Sequence, residues 1–293
     1  SPAPIHKHIG GMISDCLTRP ADLNETIRQT LGKFPLKHYW GPLASEKSGQ
    51  WIAMATEKIL QSPNAPELLM TYLPTLDYAL QRHGPNHSRS ERAVDMLFLH
   101  MNKLIKAARA AEYEVLIFGD YAIGEVSGEA IFPNRALKDA YLFSPRLVGK
   151  REYADLFHSR AFAMVDHEIA HVFVDDNGDI ETTQRTLEML DGVEAVYDKA
   201  QQAELGLDHA NSGELVIVAE PGRWFAYPWW TEAKAAPDFA GHIDIHNKPG
   251  YDPCELFFQP LTINISQDTT LVRGSHGRGG AGREIAFGTT LDL

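Results

Sequence analysis

Two short apolar runs in the chain each end on an aspartate. Residues 68–76 lead into Asp77 in the segment LLMTYLPTLDY, and residues 115–118 lead through a glycine into Asp120 in the segment VLIFGDY. Short apolar runs that are bounded by Gly or Pro predict buried strands. Because the carboxyl ends of the strands in an open α/β sheet form the ligand crevice, we expect these aspartates to converge on one site.

The clearest helical pattern lies between these two predicted strands. Ser88 and Glu91 have capping-box spacing, and an apolar stripe with helical periodicity continues to residue 108. The order strand, helix, strand indicates a parallel crossover unit. The predicted fold class is therefore α/β, with a mostly parallel sheet flanked by helices. Two earlier helices are predicted over residues 20–31 and 50–60.

The pattern becomes less regular after residue 143. Strands are predicted at residues 161–165, 169–174 and 215–219, and a short helix over residues 184–190. We interpret about residues 145–240 as a small inserted subdomain. The aromatic segment WFAYPWW, residues 224–230, is interpreted as a packed or rim-forming loop in preference to a base-stacking platform.

Composition narrows the classes of protein to which the chain can belong. Its 293 residues, 44% hydrophobic and 23% charged, are typical of a globular protein. The formal net charge of −12 and the lack of a basic stripe argue against binding to nucleic-acid polymers. No apolar stretch approaches ~18 residues, so no membrane span or membrane partner is expected.

The two cysteines carry information about the compartment. Cys16 and Cys254 are isolated and have no CxxC spacing. This pattern favours reduced thiols in a reducing compartment, so we expect the cytoplasm, and a single disulfide between them is the alternative.

The segment HEIAH, residues 167–171, matches the zinc-peptidase signature. That chemistry requires a helix, which places both histidines on one face and uses the glutamate as general base. The flanking β-branched and aromatic residues predict strands instead, and the Asp-rich residues 175–179 predict a hairpin turn. We therefore favour a solvated hairpin over a peptidase site.

A better candidate site combines the two aspartates with a histidine from a GSHG segment near the C-terminus, His276. An aspartate after a strand is also common as a helix cap or turn former. Taken together, however, Asp77, Asp120 and His276 indicate a metal or phosphate site.

The contexts of these residues resemble motifs of the alkaline phosphatase superfamily, in particular of the type I phosphodiesterase/nucleotide pyrophosphatase family. Asp77 and a following Gly-Pro match one motif, in which Gln81 stands where the family has histidine. Asp120 matches a Ser-Asp-His-Gly motif, with Tyr121 at the histidine position. His276 matches a final Ser-His-Gly motif, and the order of the motifs is that of the family.

The resemblance implies an alkaline phosphatase-like fold with two divalent metal ions, which activate a Thr or Ser nucleophile and stabilise the phosphoryl transition state. Asp77 and His276 would hold one ion, and Asp120 would contribute to the other. His83 is a candidate replacement for the missing histidine, and His246 a candidate substrate or outer-shell residue. An amide and a neutral phenol bind zinc poorly, so the two replacements favour manganese or magnesium over zinc, or leave the site empty.

The family also places a metal-binding aspartate and the nucleophile before the motifs matched here, and residues 1–50 contain no counterpart of them. The chain also begins without methionine. We therefore expect residues 1–293 to be the C-terminal portion of one catalytic domain, with the nucleophile supplied from upstream. The predicted function is metal-dependent hydrolysis of phosphodiester or pyrophosphate bonds in a small molecule. The alternative is a degenerate, non-catalytic family member that binds a ligand or partner.

Overall fold

A computed structural model describes residues 2–6, 12–244 and 247–292, so the candidate His246 lies outside the described residues. The chain divides into two compact units, Ser1–Asp120 with Ile285–Leu293, and Tyr121–Glu284. The predicted inserted subdomain, about residues 145–240, falls entirely within the second unit. Over the described ranges, no helix combines the length and the apolar character needed to cross a bilayer.

The first unit is mainly helical. Its helices are α1 (Leu23–Leu31), α2 (Glu46–Leu60), α3 (Thr75–His83) and α4 (Ser88–Ala110). Its short strands are β1 (Ile5–His6), β2 (Met12–Ile13), β3 (Leu116–Phe118) and, at the other end of the chain, β14 (Phe287–Thr289). Helices α2 and α3 pack against α4, and the buried side chains Ala53, Tyr78 and Ala108 belong to this core.

The predicted helices α1, α2 and α4 are confirmed, but the predicted cap of α4 is wrong. His87 is the N-cap, and its Nδ1 accepts a hydrogen bond of 3.1 Å from the Arg89 amide. His87, which precedes the predicted cap Ser88 by one residue, is therefore the residue that satisfies a free N–H group at the start of the helix.

The strand predicted at residues 68–73 is absent. This run has no regular secondary structure, and Leu68 and Met70 are 79% and 78% exposed. The chain then enters α3 at Thr75, so Asp77 lies in the first turn of a helix and does not follow a strand. The second predicted strand forms as β3, but it pairs antiparallel with β14. The crossover unit therefore fails, because neither run finds a parallel neighbour.

The second unit contains most of the strands. In chain order its strands are β4 (Gly124–Glu125), β5 (Ala130–Ile131), β6 (Pro145–Val148), β7 (Arg151–Ala154), β8 (Ala161–Asp166), β9 (Ile169–Val174), β10 (Val193–Tyr197), β11 (Leu215–Ala219), β12 (Trp224–Phe225) and β13 (Gly274–Ser275). Its helices are α5 (Pro133–Asp139), α6 (Ile180–Glu188) and α7 (Lys199–Glu204).

The largest sheet has the order β10-β11-β9-β8, and all its neighbours are antiparallel. Among the described residues the one parallel pair of strands is β12 with β5, and an isolated parallel bridge joins Val165 to Gly250. The fold is mixed α/β, but the predicted mostly parallel sheet is wrong for the described part of the chain. The reason is the connection: β8 returns into β9 through two residues, and such a tight turn joins only antiparallel strands.

One face of this sheet forms the core of the second unit. Burial alternates along β8 and β9, and side chains such as Val165, Val172 and Ile217 are fully buried. Trp229 and Trp230 pack edge-to-face at 5.1 Å between ring centroids and are also buried. The aromatic segment is thus packed in the core, which confirms the first of its two interpretations.

Native thiol labelling is expected to modify one cysteine. Cys16 is half-buried, whereas Cys254 is 3% exposed, and burial raises the pKa of its thiol well above the usual value. A buried thiol with a raised pKa forms little thiolate and reacts slowly. An aromatic disulfide reagent should therefore titrate Cys16 alone in the native protein and both thiols in denaturant.

The matched variant Cys16→Ser should show no fast native reaction. Two fast thiols in the native protein would contradict the burial of Cys254, and none in denaturant without a reductant would reveal a disulfide.

Candidate metal centre

The β8–β9 hairpin closes through a two-residue turn, His167 and Glu168. Asp166 pairs with Ile169 where the strands meet the turn, and His167 has φ 58°. Two-residue hairpins favour positive φ because it matches the twist of the strands, yet a non-glycine residue is strained there. The two strands are confirmed, but the predicted turn at residues 175–179 is wrong, since that segment leads into α6.

The turn is buried, so the prediction of a solvated hairpin is wrong in that respect. His167 is 0% and Glu168 1% exposed. The Phe225 amide donates to the His167 carbonyl at 2.6 Å, and the Ala219 amide donates to the Glu168 carbonyl at 2.9 Å. The Glu168 amide donates to the His276 carbonyl at 2.7 Å. These backbone bonds fix the turn against three other segments.

The HEIAH segment does not form the helix that a zinc peptidase of this signature needs. His167 lies in the turn, whereas His171 lies on β9, where its Nδ1 accepts from the Gly213 amide at 3.2 Å. The two histidines therefore have separate surroundings. The structure opposes the peptidase interpretation.

Aromatic rings surround the turn histidine. The ring centroids of His167 and His276 are 4.0 Å apart, and Tyr251 lies 4.4 Å from His167. Tyr121 stacks on the other histidine, with centroids 3.7 Å apart and planes 13° apart. The predicted candidates Tyr121 and His276 are thus in contact, within a ring cluster that also contains His167 and Tyr251.

Three metal-binding side chains meet at this cluster. Asp166, His167 and His276 each offer one donor atom, and these atoms all lie within 4.8 Å of one another. Two imidazoles and one carboxylate are a common donor set of catalytic zinc and of other divalent transition metals. Three protein donors leave coordination positions open for water or a substrate oxygen.

A buried nitrogen of His167 without a hydrogen-bond partner shows whether these residues suit a cation. The Nε2 atom of His167 is buried and has no hydrogen-bond partner, while Nδ1 lies 3.2 Å from the Ser275 hydroxyl oxygen. Burial, and then the charge of His276, hold the pKa of His167 well below its usual value, so its ring is neutral. In the tautomer that donates from Nδ1 to Ser275, Nε2 carries the lone pair that metals bind.

A bound cation would satisfy an atom that otherwise adds a desolvation cost of about 1–3 kcal/mol. The partner at the second ring nitrogen, Ser275, is the kind of outer contact that orients histidine ligands in metal sites. The residues present therefore fit a divalent ion.

Two predicted candidates of the first unit, Asp77 and His83, lie on helix α3. Asp77 is half-buried on α3, and its Oδ2 accepts from the Gln81 Nε2 at 2.8 Å, one helical turn away. His83 lies six positions after Asp77, so the two lie on different faces of α3. The His83 ring stacks on His87 at 5.1 Å, and burial lowers its pKa.

Asp120 is exposed and follows β3 after one glycine, as predicted. The structure thus brings Asp77 together with Gln81, and Tyr121 together with His276. The convergence of Asp77 and Asp120 with His276 remains a prediction.

The sequence interpretation missed Asp166 entirely and gave His167 a ligand role only in the disfavoured peptidase alternative. A local signal was present in HEIAH, but it suggested the wrong partner, His171. The actual neighbour, His276, is more than a hundred residues away in the sequence. A sequence pattern on one hairpin cannot indicate such a contact.

Comparisons with known proteins give a family and a fold. The family model described as type I phosphodiesterase/nucleotide pyrophosphatase matches residues 5–252. No curated protein sequence matches the chain significantly. The fold is similar to that of phosphonoacetate hydrolase from Sinorhizobium meliloti 1021 in complex with phosphonoacetate, at 12% identity and TM-score 0.52, over 89% of this chain and 53% of that chain.

A second solved structure, murine ectonucleotide pyrophosphatase/phosphodiesterase 5, matches at 16% identity and TM-score 0.44, over 59% of this chain and 44% of that chain. The chain spans about half the length of the solved phosphonoacetate hydrolase.

Proposed function

Because the chain belongs to the type I phosphodiesterase/nucleotide pyrophosphatase family, within the alkaline phosphatase superfamily, we propose that it forms part of a metal-dependent hydrolase. The bond cleaved is a phosphodiester or pyrophosphate bond in a small molecule. The ion is divalent, with zinc, manganese and magnesium as candidates.

The observation that carries this proposal is the buried, unpartnered Nε2 of His167 beside Asp166 and His276. A neutral imidazole whose second nitrogen contacts Ser275 is prepared for a metal without any change of protonation. The strained backbone of His167 agrees with a functional role, because strain of this kind is concentrated at active and ligand sites.

Each residue has a distinct part in the proposed site. Asp166, His167 and His276 would hold the ion, which when bound would polarise a phosphoryl oxygen and lower the pKa of a bound water. Ser275 contacts Nδ1 of His167 and leaves Nε2 for the ion, and Tyr121 supports the ring of His276 by stacking. Burial of the turn excludes water from one side of the site and strengthens its electrostatics.

The family resemblance adds a second proposed ion: by that resemblance Asp77 and His276 would hold one ion, and Asp120 would contribute to the other. His276 is shared between the two candidate ligand sets, since the resemblance pairs it with Asp77. The nucleophile is assigned to no residue of this chain.

Chelation and metal restoration test the proposal. The complete protein is expected to hydrolyse bis(p-nitrophenyl) phosphate, to lose at least about 100-fold in rate with EDTA, and to recover it with Zn²⁺, Mn²⁺ or Mg²⁺. Asp77→Ala and Asp120→Ala should each lower the rate while circular dichroism stays unchanged. The control His158→Ala replaces an exposed histidine that pairs with Asp155, and it should be fully active.

Hydrolysis that EDTA leaves unchanged would contradict the metal requirement. Full activity in both aspartate variants would remove those residues from the site.

A second candidate function is ligand binding without turnover. Two observations favour it. Gln81 and Tyr121 stand at the two positions where the family motifs have histidine. Gln81 donates to the carboxylate of Asp77, and Tyr121 stacks on His276, so both side chains make other contacts than those of a metal-binding histidine. Metal binding by the complete protein, without hydrolysis of diesters or pyrophosphates, would establish this candidate. Turnover at ordinary enzymatic rates would eliminate it.

A further inference from the structure

We infer that Glu168 and Arg283 form a positioning pair that holds His276 in place for the proposed metal site. The inference rests on the proposed function, since it concerns the same donor set. It gives the glutamate of HEIAH a role that differs from the general base of a zinc peptidase.

The pair is buried and charge-assisted. Arg283 Nη2 donates to Glu168 Oε1 at 2.6 Å, and the two side chains are 11% and 1% exposed. The second carboxylate oxygen accepts from the Arg278 amide at 3.2 Å. With both oxygens engaged by protein donors, Glu168 has a structural task and is poorly placed to take a proton from a substrate.

The contacts of the pair are concentrated around His276. The Glu168 amide donates to the His276 carbonyl at 2.7 Å, and Arg283 Nη1 donates to the carbonyl of the preceding Ser275 at 3.3 Å. The Glu168 carboxylate holds the amide of Arg278, two residues further on. The backbone is thus bound before, at and after the histidine.

The same guanidinium also reaches the tyrosine that stacks on His276. Arg283 Nη1 donates to the Ala122 carbonyl at 3.2 Å, directly after Tyr121. One charged pair therefore holds the segments that carry both rings of the stack. Such outer contacts fix the orientation of metal ligands, and their loss typically costs 10–100-fold in metal affinity.

A glycine provides the space for the guanidinium. Gly124 lies on β4 directly opposite Ser275 of β13. A Cβ atom built on Gly124 would lie 2.5 Å from Arg283 Nη1 and 2.6 Å from Nη2, closer than real Cβ contacts. Gly124→Ala should therefore displace the arginine without removing any charge from the protein.

The same unit offers a matched control. Arg223 donates to the Glu129 carbonyl at 2.6 Å and pairs with Asp191 at 3.0 Å, so it too joins backbone to a carboxylate. A Cβ built on Gly128 would lie 2.3 Å from the Arg223 Cδ. Gly128→Ala and Arg223→Met thus reproduce the same two perturbations around another arginine.

The experiment measures Zn²⁺ affinity by chelator competition, and the ligand-field absorption of the Co²⁺-loaded protein, for the complete chain. Arg283→Met and Gly124→Ala are each expected to weaken Zn²⁺ binding about 10–100-fold and to shift the Co²⁺ spectrum. Gly128→Ala and Arg223→Met should leave both readouts unchanged. The spectrum reports ligand geometry, which a loss of stability alone would not alter in folded protein.

The double variant Gly124→Ala/Arg283→Met sharpens the test. If Gly124→Ala acts through Arg283, the double variant should match Arg283→Met alone, because the two changes remove one shared interaction. Additive effects would overturn that step, and wild-type affinity in both single variants would overturn the positioning role while leaving the metal site intact. A wild-type protein that binds no divalent ion would instead overturn the proposed function, and this inference with it.

Discussion

Alanine at His167 is expected to weaken Zn²⁺ binding by more than about 100-fold, because it removes a direct ligand where outer contacts alone contribute 10–100-fold. His171→Ala, which changes the other histidine of HEIAH, should leave the affinity unchanged, since that ring lies on β9 and accepts from Gly213. Isothermal titration of the metal-free proteins with Zn²⁺ measures both. The exposed His158→Ala provides the control for simple loss of a surface imidazole.

His276→Ala completes the comparison, because this residue belongs to both candidate ligand sets. A loss of binding in both His167→Ala and His276→Ala assigns the ion to the donors Asp166, His167 and His276. Loss in His276→Ala alone would assign it to the set that the family resemblance implies, with Asp77. Unchanged affinity in both variants would remove the metal centre from this part of the chain.

Local patterns predicted three strands of the second unit, at residues 161–165, 169–174 and 215–219. The predicted strands at residues 169–174 and 215–219 have the same bounds as β9 and β11. Short runs of β-branched and apolar residues favour a strand through their own side chains, so this signal is local. Their pairing could not be predicted in the same way. The antiparallel contact between β11 and β9 joins segments about forty residues apart, so it depends on tertiary packing.

The apolar run at residues 68–73 illustrates the opposite case. Its composition fits a buried strand, yet Leu68 and Met70 are exposed and no strand forms. A short apolar run specifies a tendency to be covered, but the covering partner decides whether it becomes a strand. Asp77 was predicted to lie at the end of that strand. It lies in a helix instead, because α3 begins directly after Pro74.

The candidate site shows the same division between local and distant information. His276 was predicted because its Ser-His-Gly motif is contiguous in the sequence. Asp166 and His167 were not, because their role depends on a turn that is buried by β12 and by the segment of Tyr251. Burial creates the unpartnered Nε2 of His167, and burial of one atom is a property of the whole fold.

Methionine at Lys248 is expected to lower the free energy of unfolding by about 3–5 kcal/mol, the usual cost of removing one partner from a buried ion pair. The Lys248 ammonium contacts Asp252 Oδ2 at 2.8 Å and Glu255 Oε1 at 2.7 Å, and all three side chains are at most 8% exposed. Without the lysine, two carboxylates remain buried in a medium that stabilises charge poorly. Urea denaturation followed by fluorescence measures the change.

A neutral version of the cluster separates the charge effect from packing. In the triple variant Lys248→Met/Asp252→Asn/Glu255→Gln no charge is left unpaired, so most of the lost stability should return. The Glu255 position also accepts from the Asp244 amide at 2.9 Å, a bond that glutamine can keep through its carbonyl oxygen. A triple variant as unstable as Lys248→Met would show that the lysine contributes mainly through packing.

The pH dependence of stability gives an independent check of the same cluster. Burial alone would lower the pKa of Lys248, but the charges of Asp252 and Glu255 outweigh burial, and the pKa is raised. A pKa that is higher in the folded state stabilises the fold fully below the unfolded value, about 10.4, and this stabilisation is lost as pH rises through the folded value. The difference in unfolding free energy between wild type and the triple variant should therefore stay constant from about pH 7 to about pH 9. Above about pH 10.4 the wild type should lose stability relative to the triple variant. A wild type that loses its advantage near neutral pH would contradict the raised pKa of Lys248 in the folded protein.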